Sequence, residues 1–509
     1  MMTFEHPGRD RPGEGLRFTV VGGGPAGYVA AIRASQLGAD VTLIEKRQVG
    51  GMFLSGGCLP AKSLSAAARS ILVIKQAERL GVSVQGARFD LTSARRSWLE
   101  AVRGSVARVL DLLRANGVRL LPGEARFVSS DRLEVTTTDG GEKDVPFDRL
   151  VIAVGASPRR PDIPGAEHPS VSLISESFLG DALPKQVCVL GGGMEACEAA
   201  SILSTLGSEV SLLAPDKTLL PGEDVDISTA LSASLVGHGV AVYTDTTPLE
   251  FVDGDDGGIR VRTQAPDGHA EYDAEIALIA DERVPNLSSL DIETAGLVEE
   301  NGRLIVDPGM QTNLPGVFAA GDCTGAPMLA HAASAEGEVA AENACGGTRA
   351  LGYRTVPRCV FSIPEVGSVG LTEKTALKRG IAIRVSKFPF RGTARAMVER
   401  DSEGFVKIVA DASFGSILGV HIIGPRATEL IAEATLAVRK GMSASDLVDV
   451  VHAYPTLPEA LREAALILEG RPLHSNPITA SIVEQVGFPR DAEDEVDMGK
   501  TTTDRRRNA

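Results

Sequence analysis

Apolar and polar positions fall into a repeating order near the start of the chain. Residues 17–45 read RFTVVGGGPAGYVAAIRASQLGADVTLIE. An apolar run, Phe18–Val21, meets glycines at 22, 24 and 27, and a stretch of small residues follows. A second apolar run, Val41–Ile44, then ends in Glu45. This order predicts a strand, a tight turn, a helix with a small-residue face, and a second strand. Residues 187–214, VCVLGGGMEACEAASILSTLGSEVSLLA, repeat it with Gly191 and Gly193, Ala196 at the third glycine place and Ala214 at the acid place. A shorter unit, TNLPGVFAAGDCTG at 312–325, predicts a strand ending in Gly-Asp.

Chemistry follows from the spacing. Gly22, Gly24 and Gly27 allow a tight turn and close backbone approach to a pyrophosphate, which rests on the helix N-terminus that Pro25 and Ala26 begin. Glu45 can accept hydrogen bonds from an adenosine ribose. A glycine-rich loop without function is the plainer alternative, but the whole strand–turn–helix–strand–acid unit points to dinucleotide binding. In the repeat, alanine is tolerated at the third place. Ala214 removes the ribose acceptor, and no arginine stands nearby for a 2′-phosphate, although Lys217 is close, so NAD and NADP both stay open. Asp322 would place a carboxylate at a sheet edge facing the first turn, where a sugar or ribityl hydroxyl would gain a charged hydrogen bond; an ordinary turn aspartate is the other reading.

Bulk properties narrow the classes. At 509 residues with 43% hydrophobic positions, the chain is long enough for about three domains. A formal net charge of −16 argues against a nucleic-acid partner or an anionic membrane surface. No apolar run of about 18 residues occurs, so membrane insertion is not expected. The six cysteines, at 58, 188, 197, 323, 345 and 359, lack the paired spacing of zinc sites, and no metal is expected. With no apolar signal region in residues 1–17, a cytoplasmic location is expected.

Together these segments resemble the flavin-dependent pyridine nucleotide–disulfide oxidoreductases, most closely the dihydrolipoamide dehydrogenase branch. The resemblance runs from about Arg17 to Leu468. It includes AVGASPRRPDIPG at 153–165, GAPMLAHAASAEG at 325–337 and the block PRCVFSIPEVGSVGLTE, GFVKI and LGVHIIGPRATELIAEATLA. It implies an α/β fold with two Rossmann-like dinucleotide-binding domains, for FAD and NAD(P), and a C-terminal α+β dimerisation domain in a homodimer. The corresponding boundaries are 17–160 and 291–357 for the two parts of the FAD domain, 161–290 for the NAD(P) domain and 358–483 for the dimerisation domain. Residues 1–16 and 489–509 are expected to be disordered tails. The resemblance also implies that Ala125, Ala153, Gly155, Asp322, Met328, Leu329, Ala330 and His331 help to hold FAD. Lys62 and Glu198 would form a pair beside flavin N5, and Arg283 would belong to the nicotinamide site.

This chain departs from the family pattern at the chemistry. GGMFLSGGCLPAK keeps the flavin-facing cysteine as Cys58 but carries Phe53 where the family's exchanging cysteine stands. Thiol–disulfide exchange passes through a mixed disulfide that a second thiolate resolves. HAYPTLPE places Tyr454 at the family's general base, with Glu459 at the acid that orients it, while His452 matches a non-catalytic histidine. A phenol is a poor base at neutral pH but can donate a proton; simple interface packing is the alternative for Tyr454. In IADERVPN, Glu282 replaces the glycine of the nicotinamide segment. The leading expectation is an oxidoreductase that passes electrons from NAD(P)H through FAD to a small non-disulfide acceptor such as a quinone. A single-cysteine thiol or disulfide reductase acting through Cys58, and a non-catalytic FAD-loaded subunit, are the alternatives.

Overall fold

The computed structural model describes residues 12–55, 57–174, 182–255, 257–280, 283–325, 327–475 and 483–485. Three sheets organise them. The first begins with the strand Arg17–Val21, flanked in parallel by Asp40–Glu45 on one side and Arg149–Ile152 on the other. Val317–Ala319 extends it beyond Arg149–Ile152, and Arg119–Ser129 extends it beyond Asp40–Glu45. Its strands are apolar, and Phe18, Val20, Leu43, Leu150 and Val151 are all buried in a core shared with helices and with Phe127, Leu133 and Val135.

The second sheet repeats this design. Gln186–Leu190 lies in parallel between Glu209–Leu213 and Ile276–Ile279, with Val240–Tyr243 and Val171–Leu173 at the edges. A three-stranded antiparallel meander, Thr247–Asp253, Ile259–Ala265 and Gly268–Ala274, is attached to this unit. Between the two units runs a two-stranded ribbon in which Ala156–Pro158 pairs antiparallel with Arg283–Pro285. Asn286 anchors it: its side-chain amide donates to Val154 O at 3.0 Å, and its backbone N–H donates to Gly155 O at 3.0 Å.

The third sheet is antiparallel, with strands in the order Arg358–Val360, Glu365–Gly370, Ile417–Gly424, Phe405–Asp411, Ile383–Pro389 and Val483–Gln485. Helices Ala427–Lys440 and Glu459–Leu468 cover it with buried alanine and leucine side chains. A buried lysine ties this sheet to the second unit. Lys407 Nζ lies 2.7 Å from Asp224 Oδ1, 2.7 Å from Asp226 Oδ2 and 2.8 Å from Glu373 Oε2. Three carboxylates around one ammonium offset the cost of burying that charge.

One expectation needs correction. The disorder expected for residues 1–16 does not extend to 12–16, which form a turn docked on the end of the first helix. There Gly13 N–H donates to Leu37 O at 3.0 Å, and Gly13 is packed so closely that a Cβ on it would lie 3.1 Å from Cys345 Sγ. Residues 1–11 and 489–509 lie outside the described residues.

Candidate active site

The first turn is built by steric necessity. Gly22 has φ +100°, and a Cβ there would stand 2.2 Å from Ala153 O. A Cβ on Gly27 would stand 1.7 Å from Gly22 O. Only glycine lets the helix Pro25–Gln36 start this close to the strands. Gly24 is the N-cap of that helix, has no side-chain cap bond, and a Cβ on it would meet nothing within 4 Å. Uncapped first-turn N–H groups facing open space suit a phosphate. At the same mouth, Glu45 Oε2 accepts from Gly23 N–H at 2.6 Å and Oε1 accepts from Arg47 N–H at 2.7 Å. The residues present therefore fit an ADP-containing cofactor such as FAD.

Other expected cofactor residues fall around this turn. Ala153 and Gly155 follow the strand Arg149–Ile152, and Gly155 takes φ +67° with open space before it. Asp322 starts a short 3-10 turn after Val317–Ala319; a Cβ on the preceding Gly321 would lie 3.2 Å from Ala26 Cβ. Burial pushes the Asp322 carboxyl above its usual range, against the pull of Arg283. Met328 and Leu329 are half-buried and lead into the helix Ala330–Ala344, whose Gly337 passes so close to the first helix that a Cβ would sit 2.1 Å from Ala26 O. His331 is exposed and its Nε2 is 2.7 Å from Pro357 O. Ala125 is 3% exposed within the strand Arg119–Ser129, so only its backbone is available to a ligand.

Cys58 begins the helix Cys58–Gln76, and Lys62 lies one turn on. Lys62 Nζ is 2.8 Å from Glu198 Oε2 and 3.1 Å from Oε1, with the Phe361 ring centroid 4.4 Å away. Glu198 Oε1 also accepts from Phe361 N–H at 2.8 Å. The helix bearing Lys62 thus reaches the helix Met194–Leu206 of the second unit, where Leu64, Ala68 and Ile202 share a buried cluster with Trp98 and Ile363. Burial pushes the Cys58 thiol up; Lys62 and, more weakly, Arg283 pull it down without cancelling the effect. Phe53 lies in the short helix Gly51–Ser55, and its side chain is outside the described residues, as is Glu282.

The second turn resembles the first in backbone and differs in charge. Gly191 takes φ +129°, Gly193 is the N-cap of Met194–Leu206 without a side-chain cap bond, and Ala196 is buried against the strands. Ala214 is fully buried, with its Cβ 3.0 Å from where a Cβ on Gly192 would be. Arg283 pairs with Glu195 in the first turn of this helix, and its Nη1 lies 3.5 Å from Asp322 Oδ2. Sequence reasoning missed Glu195, although an acid two residues after Gly193 was readable. It also missed Phe361 and Asn286, whose roles depend on contacts distant in sequence.

Tyr454 is 71% exposed, on a turn with a cis Tyr454–Pro455 bond. Glu459 Oε2 accepts from Thr456 N–H at 2.8 Å, which fixes that turn. His452 is committed elsewhere: its Nε2 is 2.9 Å from Glu433 Oε1 and its Nδ1 is 3.1 Å from Val450 O. The remaining cysteines are structural in setting. Cys188 and Cys323 are fully buried, and burial pushes each thiol up to about 12.

Comparison with known proteins agrees with this geometry. Residues 16–337 match the family described as pyridine nucleotide-disulphide oxidoreductase, and residues 356–465 match its dimerisation domain. The chain is 34% identical over 469 residues to a dihydrolipoyl dehydrogenase of Chlamydia muridarum, covering 91% of this chain and 99% of that one. It is 36% identical over 457 residues to a dihydrolipoyl dehydrogenase of Geobacillus stearothermophilus, covering 89% and 96%. Among solved structures, LpdA of Mycobacterium tuberculosis superposes with a TM-score of 0.82 at 29% identity, covering 88% of this chain and 99% of that chain.

Proposed function

Because this chain belongs to the pyridine nucleotide-disulphide oxidoreductase family, we propose that it is a flavin-dependent NAD(P)H oxidoreductase whose electron acceptor is a small non-disulfide molecule such as a quinone. The observation that carries the choice of acceptor is the composition of the redox segment, with one thiol at Cys58 and Phe53 at the exchanging position. Bound FAD would supply the electron relay between the nicotinamide and the acceptor. The glycine turn at 22–27, Glu45 and Asp322 would hold it, and Lys62 would favour its reduced, negatively charged form.

The thiol chemistry supports the same reading. The thiolate is the nucleophile in exchange, and a thiol pushed up by burial supplies little of it at neutral pH. With a second copy of the chain, the dimerisation domain would bring Tyr454 towards the partner's redox segment, where the exposed phenol can donate a hydrogen bond to a carbonyl acceptor. Neither group can resolve a mixed disulfide.

Replacing Cys58→Ser tests the acceptor. NAD(P)H–quinone turnover is expected to survive the substitution within about 3-fold, well under the 10²–10⁴-fold that loss of a catalytic proton-transfer group typically costs. Abolished turnover with every acceptor would instead assign Cys58 a covalent role.

A further inference from the structure

Arg283 lies between the helix that follows the second glycine turn and the turn that carries Asp322. It starts one strand of the ribbon between the units, opposite Pro158. On one side it pairs with Glu195, and on the other its Nη1 is 3.5 Å from Asp322 Oδ2. Its charge also reaches Cys58, whose thiol it pulls down. All three members of the Glu195–Arg283–Asp322 chain are partly shielded, with side-chain exposures of 33%, 27% and 21%.

Glu195 stands where a helix favours a carboxylate. It lies in the first turn of the helix Met194–Leu206, directly after the Gly191–Gly193 turn. The macrodipole and the uncapped N–H groups there favour an anion, and a dinucleotide brings its pyrophosphate to this kind of helix end. A resident carboxylate already satisfies part of that field and repels an arriving phosphate. It also pairs with Arg283. The first turn differs on this point: the corresponding segment, Pro25-Ala26-Gly27, carries no acid, and its carboxylate, Glu45, sits across the turn on Gly23 N–H.

We propose that Glu195 is a specificity-determining residue that sets the affinity of the second site for nicotinamide dinucleotides by competing with their phosphates for Arg283. The proposal rests on the NAD(P)H reading above. Dinucleotide binding then requires Arg283 to exchange a protein carboxylate for ligand oxygen, and the wild-type site is held weak by that exchange. Replacing Glu195→Gln keeps the side chain's size and removes the competing charge.

The test is calorimetric binding of NAD⁺ to the oxidised, FAD-loaded protein, which needs no turnover. Glu195→Gln is expected to lower the Kd about 10-fold relative to wild type, the scale of one charge-assisted contact. In an Arg283→Gln background the same change should gain less than about 3-fold, because the contested partner is gone. Unchanged or weaker NAD⁺ binding by Glu195→Gln would overturn the proposal, as would an equal gain with and without Arg283. Failure of every variant, wild type included, to bind NAD⁺ would overturn the dinucleotide reading as well. Loss of the effect of Glu195 alone leaves that reading standing.

Discussion

The two glycine turns share a backbone and differ in where they keep their carboxylate. At the first, Glu45 lies across the turn, 2.6 Å from Gly23 N–H, and the helix start beyond Gly24 is free of acid. At the second, the equivalent place holds Ala214, fully buried, and the carboxylate has moved onto the helix itself as Glu195, paired with Arg283. If Glu195 competes for Arg283 as proposed, a fold can preserve a phosphate-binding turn while charge placement tunes how well it binds, and the first site is expected to hold its cofactor more tightly than the second holds a dinucleotide.

The largest expected effect comes from breaking the first turn. Gly27→Val would drive a side chain into Gly22 O, where even a Cβ stands at 1.7 Å. The protein should lose bound FAD and at least about 3 kcal/mol of stability, checked by absorbance at the flavin band and by urea unfolding. The matching position of the second turn already holds an alanine, so Ala196→Gly should cost only about 1 kcal/mol and leave FAD bound.

Next is the link between the two units. Lys62→Met strands Glu198, whose side chain is 9% exposed, without its cation. A loss of about 3 kcal/mol is expected. Removing the Lys62 charge should also push the Cys58 thiol further up, since Lys62 pulls it down. Iodoacetamide labelling of Cys58 would then shift to higher pH than in wild type; a shift to lower pH would contradict the assigned cause.

Smaller effects probe the acids. Glu45→Gln should weaken FAD binding about 10-fold, since hydrogen bonds to a charged acceptor contribute about 1.5–3 kcal/mol. Ala214→Glu would copy the first turn's arrangement into the second. It should tighten NADH binding by a few fold, with about 1 kcal/mol expected for a restored ribose contact. Weaker binding by that variant would show that the parallel between Ala214 and Glu45 ends at the backbone.

Much of this was legible in the sequence because it is local. The apolar run Phe18–Val21, the glycines at 22, 24 and 27, and Val41–Ile44 specify one strand–turn–helix–strand unit within 29 residues, and the structure forms it as Arg17–Val21, Pro25–Gln36 and Asp40–Glu45. The repeat at 187–214 was readable for the same reason. What escaped depends on distant partners. Glu195 and Arg283 meet only once the ribbon 283–285 has crossed to 156–158. Phe361 reaches Glu198 from the third sheet. Local composition also misjudged residues 12–16: a glycine-rich, polar stretch reads as a tail, yet Gly13 is held by Leu37 O and packed against Cys345.

The choice of acceptor is tested most directly by reoxidation of the reduced protein. The FAD-loaded protein is reduced with NADH under anaerobic conditions, and its flavin absorbance is followed by stopped flow on mixing with either oxidised lipoamide or a benzoquinone. The benzoquinone should restore the oxidised spectrum within the mixing experiment, and lipoamide should leave the flavin reduced, because one half-buried thiol at Cys58 offers no second sulfur to complete exchange. Rapid reoxidation by lipoamide, with the quinone inert, would contradict the proposed acceptor.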